Sequence, residues 1–240
     1  MARLRDRAGL AILVDPASTT AHDAERLAER AAGEGVGALL VGGSYAAEAG
    51  AGAVARALRR GAPGVPVLQF PAGAAQLVPD VDAVLLLSLV SGRNAQYLIE
   101  EHVRAVSFFD AHPHIPAIST AYCLIDGGAV TTVEAVSQTR PLPATKPELV
   151  RAHVRAAMLI GMQAVYLDAG SGARMAVAPA LIEAARATTD GLLFVGGGLR
   201  TAADVRAARS AGADYVVVGT YVEARGGPDR VHDLAQAARP

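Results

Sequence analysis

Three short apolar runs in the last third of the chain end in glycine. They are Val165 to Gly172 (V-Y-L-D-A-G-S-G), Leu193 to Gly198 (L-F-V-G-G-G) and Val216 to Thr220 (V-V-V-G-T). Glycine lets a backbone come close to an anion, and unpaired N–H groups at the start of a following helix add donors and partial positive charge. Residues of these types at strand ends suit a phosphate cradle. In an eight-stranded α/β barrel the expected place for a phosphate is the loops after strands 7 and 8. One carboxylate, Asp168, stands inside the first segment between apolar residues and Gly170. That setting points to chemistry more than to an ordinary polar strand end.

The elements that must position these residues can be read along the chain. Apolar strand candidates fall at Leu10 to Val14, Ala38 to Val41, Val67 to Phe70, Ala83 to Ser88, Ala117 to Leu124, Ala164 to Leu167, Leu192 to Val195 and Tyr215 to Val218. Near-continuous β-branched or leucine runs suit parallel strands covered on both faces, and the Ala-, Arg- and Glu-rich segments between them carry helical periodicity. The alternation predicts an α/β fold with a single TIM-barrel domain over 1–240. One connection breaks the pattern. Only about 11 residues, including Pro71, Gly73 and Pro79, separate Phe70 from Asp82, whereas a full crossover with its helix needs at least ~10 to 12. The third helix is therefore expected to be missing or reduced, leaving the flank open to an elongated apolar ligand. Conversely, Cys123 to Thr145 is a long connection after strand 5, with Gly127, Gly128, Pro141 and Pro143, of the kind that often covers a site.

Bulk properties exclude several classes. The net charge is −1 and the basic residues are scattered through helical stretches, which argues against a nucleic-acid partner. The lone cysteine, Cys123, has no internal disulfide partner, and the start M-A-R-L-R-D-R lacks the apolar core of a secretory signal, so a cytoplasmic location is expected. The longest apolar run, Ala83 to Val90, falls far short of the roughly 20 residues that span a bilayer.

Eight motifs, in order along nearly the whole chain, carry a resemblance to a known family. They are I-L-V-D-P at 12–16, V-G-G-S at 41–44, S-L-V-S-G-R-N at 88–94, L-I-D-G-G at 124–128, T-R-P-L-P at 139–143, Y-L-D-A-G-S-G at 166–172, V-G-G-G-L-R at 195–200 and V-G-T at 218–220. Together they resemble the geranylgeranylglyceryl phosphate synthases, prenyltransferases built on a modified (β/α)8 barrel in which a strand or loop replaces the third helix. The resemblance implies that a phosphorylated glycerol attacks C1 of a polyprenyl diphosphate, forming an ether and releasing diphosphate. By the same likeness, Tyr166, Leu167, Asp168, Ala169, Gly170, Ser171 and Gly172, with Gly196, Gly197, Gly198, Gly219 and Thr220, hold sn-glycerol 1-phosphate. Asp15 and Ser44 match the positions that bind Mg2+. The reaction itself has demands these residues can meet. A hard cation held by one or two protein oxygens and the phosphates eases diphosphate departure, and a carboxylate at the end of strand 6, Asp168, can accept the hydroxyl proton. Transient contact with a membrane surface for product release, and a homo-oligomer (dimer or hexamer), are also expected from the likeness.

The chain departs from the family pattern at two places. Asp168 stands where glutamate is usual, which moves the carboxylate back by one methylene, and Ala17 and Ser18 follow Asp15-Pro16 where Asp-Lys is common. The first leaves 3-phosphoglycerate as an alternative acceptor. The second removes a cation that Arg93 is positioned in sequence to replace. Plainer roles compete: Asp15 can begin a turn or cap a helix, Ser44 can be an N-cap, and Tyr97 and Tyr122 can be core residues or line a prenyl groove. His112 and His114 precede strand 5, on the opposite face of a barrel from the site. A phosphate-binding isomerase or lyase is a rival reading, but such chemistry wants Lys, Cys or His at strand ends, and the only lysine is Lys146 in the long connection. A barrel that binds prenyl phosphate without turnover is the other rival.

Overall fold

The computed structural model describes residues 2–43, 50–219 and 230–239. All eight expected strands form: β1 (Gly9–Val14), β2 (Ala38–Val41), β3 (Val67–Gln69), β4 (Ala83–Leu89), β5 (Ala117–Leu124), β6 (Ala164–Asp168), β7 (Leu192–Gly196) and β8 (Tyr215–Val218). Each pairs in parallel with the next and β8 returns to β1, closing the barrel. Among the described residues the α-helices are α1 (Ala2–Arg5), α2 (Ala21–Gly33), α3 (Ala51–Gly61), α4 (Glu101–Ala111), α5 (Thr132–Ser137), α6 (Pro147–Leu159), α7 (Pro179–Arg186), α8 (Ala202–Ser210) and α9 (Val231–Ala237), and a π-helical stretch, Gln96–Glu100, leads into α4.

Strand alternation divides the core into two layers, because successive side chains point to opposite faces. Val165 and Leu167 of β6, and Leu193 and Val195 of β7, pack outward in the layer that meets the helices. Ala164 and Tyr166, and Leu192 and Phe194, fill the barrel interior. Asp168 has the parity of Tyr166, so it projects into the barrel at its C-terminal mouth. The interior carries an aromatic ladder: Tyr122 stacks on Tyr166 at 5.6 Å, Tyr166 on Phe194 at 6.0 Å and Phe194 on Tyr215 at 5.0 Å. At its foot the Tyr215 hydroxyl donates to the carbonyl of Leu4 at 2.7 Å, so the short helix α1, which periodicity did not announce, plugs the floor.

The third crossover is the exception foreseen from its length. Between β3 and β4 there is one short 3-10 turn, Ala74–Gln76, and no α-helix. The long connection after β5 is ordered differently from a plain loop: it holds α5 and an isolated bridge between Ile125 and Leu142. Of the helix starts, α2 is capped by Thr20, whose hydroxyl accepts from Asp23 N, so Asp15 is not its cap. α3 is preceded by Gly50 at its N-cap. No helix among the described residues is long and apolar enough to cross a membrane.

Candidate active site

The barrel mouth encloses a cavity of about 560 Å³. Its wall on one side is the β6–β7–β8 glycine set: Gly170, Ser171 and Gly172, Gly197 and Gly198, and Gly219. Gly197 has φ 81°, and a β-carbon there would stand 2.6 Å from both Asp168 Oδ1 and the Gly170 nitrogen. Only glycine lets the loop after β7 lie this close to the loop after β6. Gly170, at φ 87°, is held in the same way against Thr131 of the long connection. Tyr166, Asp168 and Asp15 complete the mouth, so residues far apart in sequence converge as the motifs implied. Leu167 and Ala169 do not present side chains to it. Both are buried in the outer layer, and Ala169 serves through its backbone, donating to the Gly196 carbonyl at 3.0 Å. Gly196 itself lies over the Tyr166 hydroxyl. Ser44 and Thr220 fall outside the described residues.

Asp168 is 9% exposed and both its oxygens accept hydrogen bonds: Oδ2 from the Tyr122 hydroxyl at 2.5 Å and Oδ1 from the Gly170 amide at 2.7 Å. Burial raises its pKa above the ordinary aspartate value, against the opposing pull of these two donors. Tyr122 is pushed well above its own usual value by burial and by the Asp168 charge, so it remains a proton donor to the carboxylate. Sequence had offered Tyr122 only as a groove or core residue. Its register opposite Tyr166, with the hydroxyl reaching up to Asp168, is a product of strand pairing.

Asp15 sits at the end of β1 across the mouth, its Oδ1 accepting from Ala17 N at 2.9 Å, so it both begins a turn and faces the cavity. Arg200, the last residue of V-G-G-G-L-R, was not singled out by the sequence, yet it too lines the mouth. Its guanidinium donates to the Ala173 carbonyl at 2.8 Å, tying the loops after β6 and β7 together. Arg93, by contrast, donates to the Val90 and Gly92 carbonyls of its own turn and lines neither cavity. Among the described residues no group of three or more His, Cys, Asp or Glu comes together as a metal cage. Burial pushes the Cys123 thiol up to about 12, which leaves it inert as a nucleophile. Lys146, the lysine an isomerase reading needed, is an exposed residue before α6, 3.7 Å from Glu148.

A second, apolar cleft opens beside the mouth where the third helix is missing. It is walled by Phe70, Pro71 and Ala72 of the short connection, Leu87 and Leu89 of β4, Tyr97, Tyr122, and Val133 and Val136 of α5. Tyr97 and Tyr122 therefore do line a groove. Gly43 and Phe70 border both spaces and form the joint between them.

A closed parallel barrel whose mouth is lined by the glycines after β6, β7 and β8, with a buried carboxylate beside them, defines an α/β barrel of the TIM class. The chain belongs to the PcrB family, whose model matches residues 3–238. It is 38% identical over 237 residues to the geranylgeranylglyceryl phosphate synthase of Spirosoma linguale, covering 99% of this chain and 94% of that one. It is also 38% identical over 235 residues to the synthase of the same name from Methanothrix thermoacetophila, covering 97% and 91%. In three dimensions it is similar to (S)-3-O-geranylgeranylglyceryl phosphate synthase from Thermoplasma acidophilum, solved with sn-glycerol-1-phosphate, with a TM-score of 0.90, 27% identity and coverage of 99% and 96%. By this membership the chain is a prenyltransferase.

Proposed function

We propose that the protein joins a polyprenyl group, geranylgeranyl in the first instance, to a hydroxyl of sn-glycerol 1-phosphate, with Mg2+ as cofactor. The observation that carries the proposal is the joint at Gly43 and Phe70, which connects a phosphate cradle with a buried carboxylate to an apolar cleft. Such a pair of spaces suits two substrates that meet end to end, one small and anionic, one long and apolar.

In this reading the phosphate of the acceptor lies on the glycine amides, with Arg200 nearby as the cation lining the same wall. Asp168 takes the proton of the acceptor hydroxyl as its oxygen bonds to C1 of the prenyl donor, and the C1–O bond to diphosphate breaks with its electron pair leaving on the diphosphate. Tyr122 and the Gly170 amide keep the carboxylate oriented toward that hydroxyl. Asp15, a single hard carboxylate oxygen donor at the mouth, fits the small protein share that Mg2+ takes when substrate phosphates complete its shell, and Ser44 follows Gly43 directly in the chain. When bound there, Mg2+ supplies Lewis-acid stabilisation of the departing diphosphate. Release of the lipid product to a membrane surface, self-association and a cytoplasmic location are further parts of this reading.

The test is a product assay by mass spectrometry with geranylgeranyl, shorter and longer prenyl diphosphates, offered sn-glycerol 1-phosphate, sn-glycerol 3-phosphate or 3-phosphoglycerate, with Mg2+ or with chelator. An ether formed from the 1-phosphate and lost on chelation is the expected result. Product with 3-phosphoglycerate alone would move the acceptor to that acid, and no product with any pair would sink prenyl transfer as the activity.

A further inference from the structure

The connection that lacks a helix is nevertheless fastened. Gln69 and Gln76 are 1% and 7% exposed, and buried side-chain amides are costly unless paired. Gln69 Nε2 donates to the main-chain carbonyl of Gln76, and its Oε1 accepts from Val78 N at 3.0 Å. Gln76 turns its own side chain both ways. Its Oε1 accepts from Ala72 N at 2.8 Å, and its Nε2 reaches the Gly43 carbonyl in the loop after β2 at 3.4 Å. Gly43 in turn lies against Asp15: a β-carbon on it would be 2.7 Å from Asp15 Oδ1. A second fastening holds the far side of the same strap, where Glu101 accepts from Ala74 N at 2.8 Å.

The strap supplies Phe70, Pro71 and Ala72 to the wall of the apolar cleft, while Gly43 borders the mouth. Gln76 is thus the side chain that spans from the wall of one space to the rim of the other. We propose that Gln76 is a positioning residue for prenyl transfer: its amide locks the strap to the loop after β2, and so fixes C1 of the prenyl donor relative to Asp15. The proposal rests on the prenyl-transfer reading of the site. It is specific to the donor side. The cradle for the acceptor phosphate is built from the loops after β6, β7 and β8, and the side-chain bonds of Gln76 go to Ala72 and Gly43 instead.

Gln76→Met keeps volume and removes both side-chain bonds, whereas Gln76→Glu keeps the acceptor for Ala72 N and loses the donor to Gly43. In steady-state assays of the full chain with geranylgeranyl diphosphate and sn-glycerol 1-phosphate, Gln76→Met is expected to raise KM for the donor about tenfold or more and to lower kcat, with KM for the acceptor within about twofold. Gln76→Glu is expected to fall between it and the unaltered protein, and carries the same split should the methionine variant fold poorly. Hydrogen exchange without ligands is expected to quicken in Gln76→Met both in the strap, 67–78, and in 38–43. Equal changes in both KM values, an unchanged donor KM in a folded variant, or faster exchange confined to the strap would overturn the proposal. If the unaltered protein makes no ether from any pair, the prenyl-transfer reading fails and the positioning role of Gln76 in it fails as well. The exchange data then decide separately whether Gln76 couples the two loops.

Discussion

The two halves of the barrel mouth are built on opposite principles. On the β6–β8 side the cavity wall is backbone: glycines at 170, 172, 197 and 198, all with positive φ, bring main-chain groups to its surface. On the β2–β4 side the wall is side chain: Phe70, Leu87, Leu89 and Tyr97, held by glutamine and glutamate contacts around a segment with no helix. In the proposed reading the difference follows from the ligand each half is to take. A phosphate wants fixed N–H dipoles that cost no reorganisation, and a backbone loop supplies them wherever a Cβ is absent. An alkyl chain offers no directional handle, so its cleft is a matter of removed volume and apolar lining, and the missing third helix is how that volume arises.

Asp168 stands between the halves, and its replacement has the largest expected effect. Asp168→Asn keeps shape and removes the base, so kcat should fall by roughly 10²- to 10⁴-fold with KM for the acceptor little changed. A loss of only a fewfold in single-turnover assays would remove Asp168 from that role.

The backbone half can be probed by adding one carbon. Gly197→Ala places a β-carbon 2.6 Å from the Gly170 nitrogen at φ 81°, while Gly64→Ala has φ 88° and nothing within 4 Å. Both share the left-handed strain of about 1 kcal/mol that an L side chain meets there, but only the first disturbs the cradle. Gly197→Ala is expected to raise KM for the acceptor phosphate about tenfold or more, a loss of at least ~1.4 kcal/mol of binding, and Gly64→Ala to leave it unchanged. Equal kinetic behaviour in the two variants would mean that the cradle does not hold the phosphate.

The smallest effects are in pH dependence. Because burial raises the pKa of Asp168 in the folded protein, its protonated form favours folding. That contribution is fully present below the unfolded value and is lost as pH rises through the folded one. Asp168→Asn should accordingly melt at a higher temperature than the unaltered protein near neutrality, with the gap closing in acid. Tyr122→Phe removes a donor that lowers this pKa, so the acid limb of the rate profile should move to higher pH. A limb that stays in place or moves down would show that the Tyr122 bond does not govern the carboxylate.

How much could be read in advance differs between the same two regions. The glycines after β6, β7 and β8 were legible because glycine at a strand end has a steric meaning that survives without coordinates. Asp168 was legible by its place among them. A missing or reduced third helix was legible from the short connection, since about 11 residues with two prolines and a glycine stand at the lower limit of a full crossover. Arg200, Gln76 and the bond from Tyr122 to Asp168 were not. Each depends on which residues from separate loops or strands come within hydrogen-bonding reach, and a tyrosine or glutamine in an apolar run looks the same whether it packs or positions. Arg93 shows the converse, a cation close to the site in sequence order that folds back on its own turn.

The sequence by itself determined the eight strands, their order and the end of the barrel at which the glycine loops gather, because strand periodicity, crossover length and glycine's missing β-carbon are local properties. Only the tertiary structure decided that the shortened connection is strapped to the loop after β2 and that Asp168 is clamped by a tyrosine from the neighbouring strand. Those contacts join residues 33 and 46 positions apart, and no local preference encodes such a distance; the closure of the barrel does.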